Sequence, residues 1–119
     1  MDDTWSYQPD YIIDKCIYFE DGEKAIKQLK KMEIPPTALL VTSDQVAAGI
    51  VVSCQKHGIS IPNQLSIIGF DNEPIAKMMN ITTIEIPLLE MGRNLFLQAV
   101  QDDLSNKELS SRLIERETV

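Results

Sequence analysis

The sequence predicts an α/β fold, a parallel sheet in three layers with helices on both faces. Three short apolar runs, "ALLVT" at 38–42, "LSIIGF" at 65–70 and "TTIEI" at 82–86, read as strands buried in such a sheet. Between and after them lie stretches whose apolar residues recur at helical spacing. Strands that alternate with helices imply parallel pairing through crossover connections.

The first twenty residues are the least patterned. "DYIIDKCIYFE", 10–20, reads as one or two short strands, with Trp5 and Tyr7 covering a core edge. From Asp21 the pattern sharpens. "DGEKAIKQLKKM" sets Ala25, Ile26, Leu29 and Met32 along one helical face; Asp21 suits the N-cap, and Lys27, Lys30 and Lys31 suit the negative end of the dipole. "IPPT" ends that helix, because proline cannot continue the hydrogen-bond ladder. After the first strand, "SDQVAAGIVVSCQKHG" is a second helix, capped by Ser43 or Asp44, with Val46, Ala47, Ile50, Val51 and Cys54 on its apolar face. Gly58 stands where a left-handed residue closes a helix. "ISIPNQ" is a turn before the second strand, a short helix spans Glu73 to Met79, and the third strand follows. "LLEMGRNLFLQAVQDDL", 88–104, is amphipathic, "SNKELS" is a polar connection, and "RLIERETV", 112–119, is a closing strand with mixed faces. No repeat, low-complexity tract or linker interrupts this order.

Composition excludes several function classes. The 119 residues suffice for one domain with one core, and 44% apolar with 24% charged residues is a globular balance. A formal charge of −7 and a pI near 4.6 oppose a grip on nucleic-acid phosphates, which requires a basic face. No apolar run approaches a membrane span. "MDDTWSYQPD" is the reverse of a secretory signal, so a cytoplasmic location and no membrane partner are expected. Cys16 and Cys54 lack metal-ligand spacing and read as reduced thiols. The lone histidine, His57, falls at a helix end where the dipole favours its charged form, without partners for catalysis or metal binding. With no glycine-rich phosphate loop, nucleophile elbow or His/Cys cluster, the expectation is a chain without cofactor, metal or catalytic residue, hence no enzyme.

In parallel α/β sheets, ligands sit beyond the carboxyl ends of the strands. Ser43 and Asp44 follow one strand, and Asp71 and Asn72 follow the next, so all four share one edge if the strands are parallel. That edge is the natural candidate for a site.

"PTALLVTSDQVAAGIVVSCQKHGISIPNQLSIIGFDN", "TTIEIPLLEMG" and "RLIERETV" occur in an order that resembles the C-terminal part of the LacI/GalR family of bacterial transcription regulators. The likeness covers residues 35–119, with a weaker match from about Tyr18. Such proteins have a helix-turn-helix headpiece and a two-lobed, periplasmic-binding-protein-like core that holds a small effector between its lobes. The resemblance implies that 1–87 and about 110–119 form part of the second lobe. Residues from about 88 to 109 would be a crossing helix and connection of the first lobe. It also implies a carbohydrate effector, a homodimer, and contact with operator DNA only through the headpiece, which has no counterpart here.

Asp71 then corresponds to the carboxylate with which the family holds effector hydroxyls, and an ionised carboxylate can accept two of them. Its alternative is to cap the short helix that follows. Ser43 stands where the family often has an effector-contacting asparagine, and is equally an N-cap. Asp44 is an effector candidate whose stronger reading is N-cap or lobe stabilisation. Tyr18 is a candidate stacking ring, against a plain packing role shared with Ile17 and Phe19. Ile86 departs from the polar residue common after the third strand, which leaves the effector type open. Val46, Ala48, Val52, Met78 and Met79 match positions where family dimers pair, and the all-round apolar character of "VAAGIVV" supports an oligomer. The expected function is therefore the effector-binding and dimerisation portion of a ligand-responsive repressor. The competing readings are a periplasmic-type sugar-binding protein fragment, a phospho-receiver-like domain and an enzyme that uses Asp44 and Asp71 as an acid/base pair.

Overall fold

The computed structural model describes residues 8–119, so the expected roles of Trp5 and Tyr7 lie outside the described residues. A 3-10 turn at Pro9–Tyr11 precedes α1 (Asp21–Leu29), β1 (Ala38–Leu40), α2 (Asp44–His57) and β2 (Ser66–Phe70). Then come α3 (Pro74–Met78), β3 (Thr82–Glu85), α4 (Leu88–Gln101) and β4 (Arg112–Ile114). The sheet order is β1-β2-β3-β4. β1 and β2 pair in parallel, Leu39 beside Ile67, and β2 and β3 likewise, Phe70 beside Ile84.

The strands advance in one direction across the sheet. Right-handed crossovers therefore bring α2 and α3 to the same face. α2 packs on β2, with α1 and α3 against its flanks. The core is their common interior: Ala25, Ile26 and Leu29 of α1, Val46 to Cys54 of α2, and Leu65, Ile67, Ala76 and Ile81. Leu40, on the other face of β1, is 72% exposed.

The helix ends follow local chemistry. Ser43 is the extended N-cap of α2, its Oγ accepting the Val46 N–H at 3.2 Å. Gly58 closes α2 at φ 70°, and the Ile59 N–H returns to the Cys54 carbonyl at 2.9 Å, a Schellman closure. Asp21 departs from the expected N-cap role. It lies in the first turn of α1, and its Oδ2 reaches back to the N–H groups of Ile17 (2.7 Å) and Tyr18 (2.8 Å). These bonds, Tyr18 first, hold its carboxyl below the usual value.

Two further expectations are corrected. Residues 10–20 form no strand: beyond the 3-10 turn they are irregular, with Lys15 at φ 58° and the donors at 17 and 18 consumed by Asp21. "RLIERETV" is a strand only over 112–114 and runs antiparallel, Glu85 beside Arg112 and Thr83 beside Ile114. An antiparallel edge on an otherwise parallel sheet is a common arrangement, and it suits the mixed faces of this segment. The tail beyond β4 stitches the starts of β2 and β3. Thr118 Oγ1 donates to the Ile67 carbonyl (2.6 Å) and accepts from Thr82 N (2.9 Å), while Glu117 N–H reaches the Asn80 carbonyl (3.0 Å).

α4 buries none of its residues, and Leu89 is 87% exposed. Among the described residues no helix is long and apolar enough to cross a membrane.

Candidate functional site at the carboxyl edge of the sheet

Parallel pairing of β1, β2 and β3 carries their following residues to one edge. Ser43 lies three residues beyond β1, Asp71 directly beyond β2, and Glu85 ends β3. Asp71 N–H donates to the Ile84 carbonyl at 2.9 Å, which ties the end of β2 to β3. The chain then turns sharply, with Asp71 at φ 98° and Asn72 at φ 53°. Two successive non-glycine residues in the left-handed region are uncommon and persist only where surrounding bonds dictate them.

The two aspartates of this edge face opposite ways. Asp71 is exposed. Asp44 is fully buried: its Oδ2 accepts the Glu73 N–H at 2.7 Å and its Oδ1 the Thr83 hydroxyl at 2.6 Å. Gly69 lies against Oδ1, where any Cβ would collide with the carboxylate. Asp44 thus joins the start of α2, the end of β2, the turn at 71–73 and β3, and its charge sits at the positive end of α2. Its carboxylate is committed inward. Asp71 is the carboxylate that faces solvent.

Asn72, beside Asp71, is held at both ends of its amide. Its Nδ2 donates to Glu85 Oε2 (2.7 Å), and its Oδ1 accepts from Arg116 Nη2 (2.8 Å). Glu85 Oε1 in turn accepts from Arg112 Nη2 at 2.8 Å. The bond from Asn72, then that from Arg112, lowers the Glu85 pKa. Sequence reasoning placed Asn72 at this edge but missed its partners Glu85, Arg116 and Thr83, and Arg112 behind Glu85. The only signal was the pairing of "TTIEI" with "RLIERETV", which becomes visible once β4 is known to be antiparallel.

The remaining candidates separate. Tyr18 is 68% exposed just before α1, and no hydrogen bond joins it to Asp71 or Ser43 among the described residues. Ile86 is half-buried. Of the five proposed interface residues, Val46 and Ala48 are core residues and present no surface. Apart from Val52, the apolar circumference of α2 is covered by α1, α3 and β2 within the chain. Val52 and Met78 are exposed, Met78 at 82%, and Met79 is half-buried against the core.

A second polar cluster lies between α1 and α2. Glu23 accepts from Ser53 Oγ (2.6 Å), lies 2.9 Å from His57 Nε2, and has Lys56 and Lys27 within 3.5 and 3.8 Å. Ser53 first, then His57, draws its pKa down to about 2. This is an interhelical latch, and it accounts for the lone histidine. A cavity of about 270 Å³ beside β1, lined by Ile13, Leu39, Val46 and Ile50 together with the polar Asp14, Lys15 and Thr42, includes none of Ser43, Asp44, Asp71 or Tyr18.

Comparison with known proteins gives a consistent result. The family model of the periplasmic binding protein-like domain matches residues 5–119. The NTD biosynthesis operon regulator NtdR of Bacillus subtilis (strain 168) is 33% identical over 114 residues, covering 94% of this chain and 35% of its own. The HTH-type transcriptional repressor CytR of Escherichia coli (strain K12) is 36% identical over 115 residues, covering 93% of this chain and 33% of its own. Among solved structures, a sugar-binding transcriptional regulator of the LacI family from Escherichia coli, complexed with phosphate, superposes with a TM-score of 0.74 at 26% identity. That match covers 86% of this chain and 39% of the other. The chain spans about a third of the length of the curated relatives it matches.

Proposed function

We infer the role of this chain from its family: it belongs to the periplasmic binding protein-like domain family, in the form found in LacI-family transcriptional regulators. Its relatives are regulators rather than enzymes, which removes the ground for the acid/base reading of Asp44 and Asp71. Within a ligand-responsive repressor, this chain supplies one wall of the effector cleft and part of the dimer interface. The effector is a small polar molecule of the carbohydrate class. Operator DNA is contacted only through a headpiece carried elsewhere in such a regulator, and the setting is cytoplasmic. Residues 1–87 and about 110–119 belong to the second lobe. The segment from about 88 to 109 belongs to the first, and the exposed apolar side chains of α4 dock there. Val52, Met78 and Met79 form the homodimer contact.

One observation carries the effector assignment: an exposed carboxylate, Asp71, stands at the carboxyl end of a central parallel strand, on the same edge as Ser43. Its oxygens accept hydroxyl protons in charge-assisted bonds, which suits a polyol. The sugar-binding regulator with the same fold supports that ligand class. Asp44, held inward, positions the edge without touching ligand.

The test is a proton–nitrogen NMR titration of the chain with glucose as a representative hexose, set against the nucleoside cytidine. The expected result is a saturable shift of the Ser43, Asp71 and Asn72 amides with the hexose, lost in Asp71→Asn. A response from cytidine alone would replace the ligand class, and shifts confined to other residues would move the site.

A further inference from the structure

We propose that Arg116 is a positioning residue for the effector edge, holding the Asp71–Asn72 turn in its left-handed form from the far end of the chain. The proposal rests on the effector reading above for its functional meaning, though its geometry stands independently.

Left-handed backbone at two successive residues with side chains needs an outside constraint. The residues on either side are tied by Asp71 N–H to the Ile84 carbonyl (2.9 Å) and by Glu73 N–H to Asp44 Oδ2 (2.7 Å); the conformation of Asn72 between them is constrained through its side chain. Its own N–H makes only a long bond, 3.4 Å to Thr83 Oγ1, so the side-chain amide is the stronger tether. Arg116 Nη2 holds one end of that amide and Glu85 the other, at 2.8 and 2.7 Å. Arg116 and Asn72 are 44 residues apart in sequence.

Arg116 is itself fixed on three sides. Its Nη1 donates to the Ile81 carbonyl (2.8 Å) and its N–H to Thr82 Oγ1 (2.8 Å), while Glu117 and Thr118 bind the tail to the starts of β2 and β3. The guanidinium therefore spans two acceptors that belong to different segments. A planar fork with several fixed donors can do this; the ammonium of lysine, a point charge on a flexible stem, cannot hold both in one geometry. An exposed Glu85–Arg112 pair contributes little alone. Bonded through Asn72 to the anchored Arg116, it becomes the outer support of the same clamp. The consequence falls on Asp71, whose direction is set by the turn it starts. "RLIERETV" thus serves the site by bracing it, not by contacting ligand.

The experiment compares the wild-type chain with Arg116→Gln, Arg116→Lys and the double variant Arg116→Gln/Asn72→Gly. Two quantities are read by NMR: the HN–Hα couplings and shifts that report φ at 71 and 72, and the glucose-induced shift of the Asp71 amide. Arg116→Gln should abolish the positive-φ signature and reduce the glucose shift several-fold, with β1 and α2 amides unmoved, and lysine should restore it only in part. Glycine at 72 needs no clamp to occupy the left-handed region. The double variant should therefore recover the turn at Asp71 and the glucose shift. A turn that survives Arg116→Gln, or a double variant that folds without recovering the turn, would overturn the proposal. Should Arg116→Gln fail to fold, the lysine variant and the double variant decide the matter by the same criteria. A wild-type chain blind to glucose would sink the effector reading, while the couplings would still decide whether Arg116 sets the turn.

Discussion

Asp44 and Asp71 show how much one residue type can differ within one edge. Asp44 was placed at a helix start by its sequence neighbours, but its acceptors' partners, Glu73 N–H and the Thr83 hydroxyl, are 29 and 39 residues away. No local pattern could supply them. Asp44→Ala leaves a half-buried N–H and a buried hydroxyl without their acceptor, at roughly 1–3 kcal/mol for each such group. Urea unfolding should show a loss of about 3 kcal/mol, against a change within about 0.5 kcal/mol for exposed Asp71→Asn, which keeps a residue that tolerates the left-handed backbone. Glu23 gives a pH prediction. Its folded pKa, about 2, lies below the ordinary 4.5, so its contribution is fully present above pH 4.5 and is lost as pH falls toward 2. The melting temperature of the wild type should decline through that window more steeply than that of Glu23→Gln. Parallel curves would show that the latch to Ser53 and His57 does not hold in solution.

At the scale of elements, the sequence was most readable where caps and periodicity agreed. α2 lies between Ser43 and Gly58 as its signals required, and the three parallel strands follow their apolar runs. It was least readable where tertiary partners decide. "DYIIDKCIYFE" has strand-like residues but pairs with no strand, and β4 took its direction from the edge of β3. The apolar belt of α2 was visible, but whether another chain or the same chain covered it depended on how α1 and α3 pack. Two glycines make that packing testable. Gly49 sits where α1 meets α2, and a Cβ there would collide with the Phe19 carbonyl, whereas a Cβ on Gly92 in α4 meets nothing within 4 Å. Alanine has the higher helix propensity, by about 1 kcal/mol. Gly92→Ala should therefore raise helicity by circular dichroism, and stability by up to that amount. Gly49→Ala should instead destabilise, by about 2 kcal/mol or more, because rigid backbone blocks it. Equal effects at the two sites would mean that the helices do not cross as described.

The whole molecule exposes more surface than its size requires. Its 8855 Å² compares with about 6,500 Å² for a compact chain of this mass, and its radius of gyration, 17.3 Å, with about 13.5 Å. The excess, about 2,400 Å², is well above the roughly 800 Å² that one partner buries in a standard interface, and the exposed apolar side chains of α4 contribute to it. Light scattering should find a mass above the 13.4 kDa monomer. If the pairing runs through the side of α2 and α3, Met78→Glu restores the monomer and Phe96→Glu does not. The reverse pattern would transfer the contact to α4. Beneath both lies the claim that this chain forms one wall of an effector cleft whose contact group is Asp71. The most direct measurement is the set of intermolecular NOEs between glucose ring protons and the chain at saturating sugar. NOEs to Ser43, Phe70, Asp71 and Asn72 are expected, with none to Met78 or α4. NOEs to the cavity beside β1, or none at any sugar concentration, would contradict that claim.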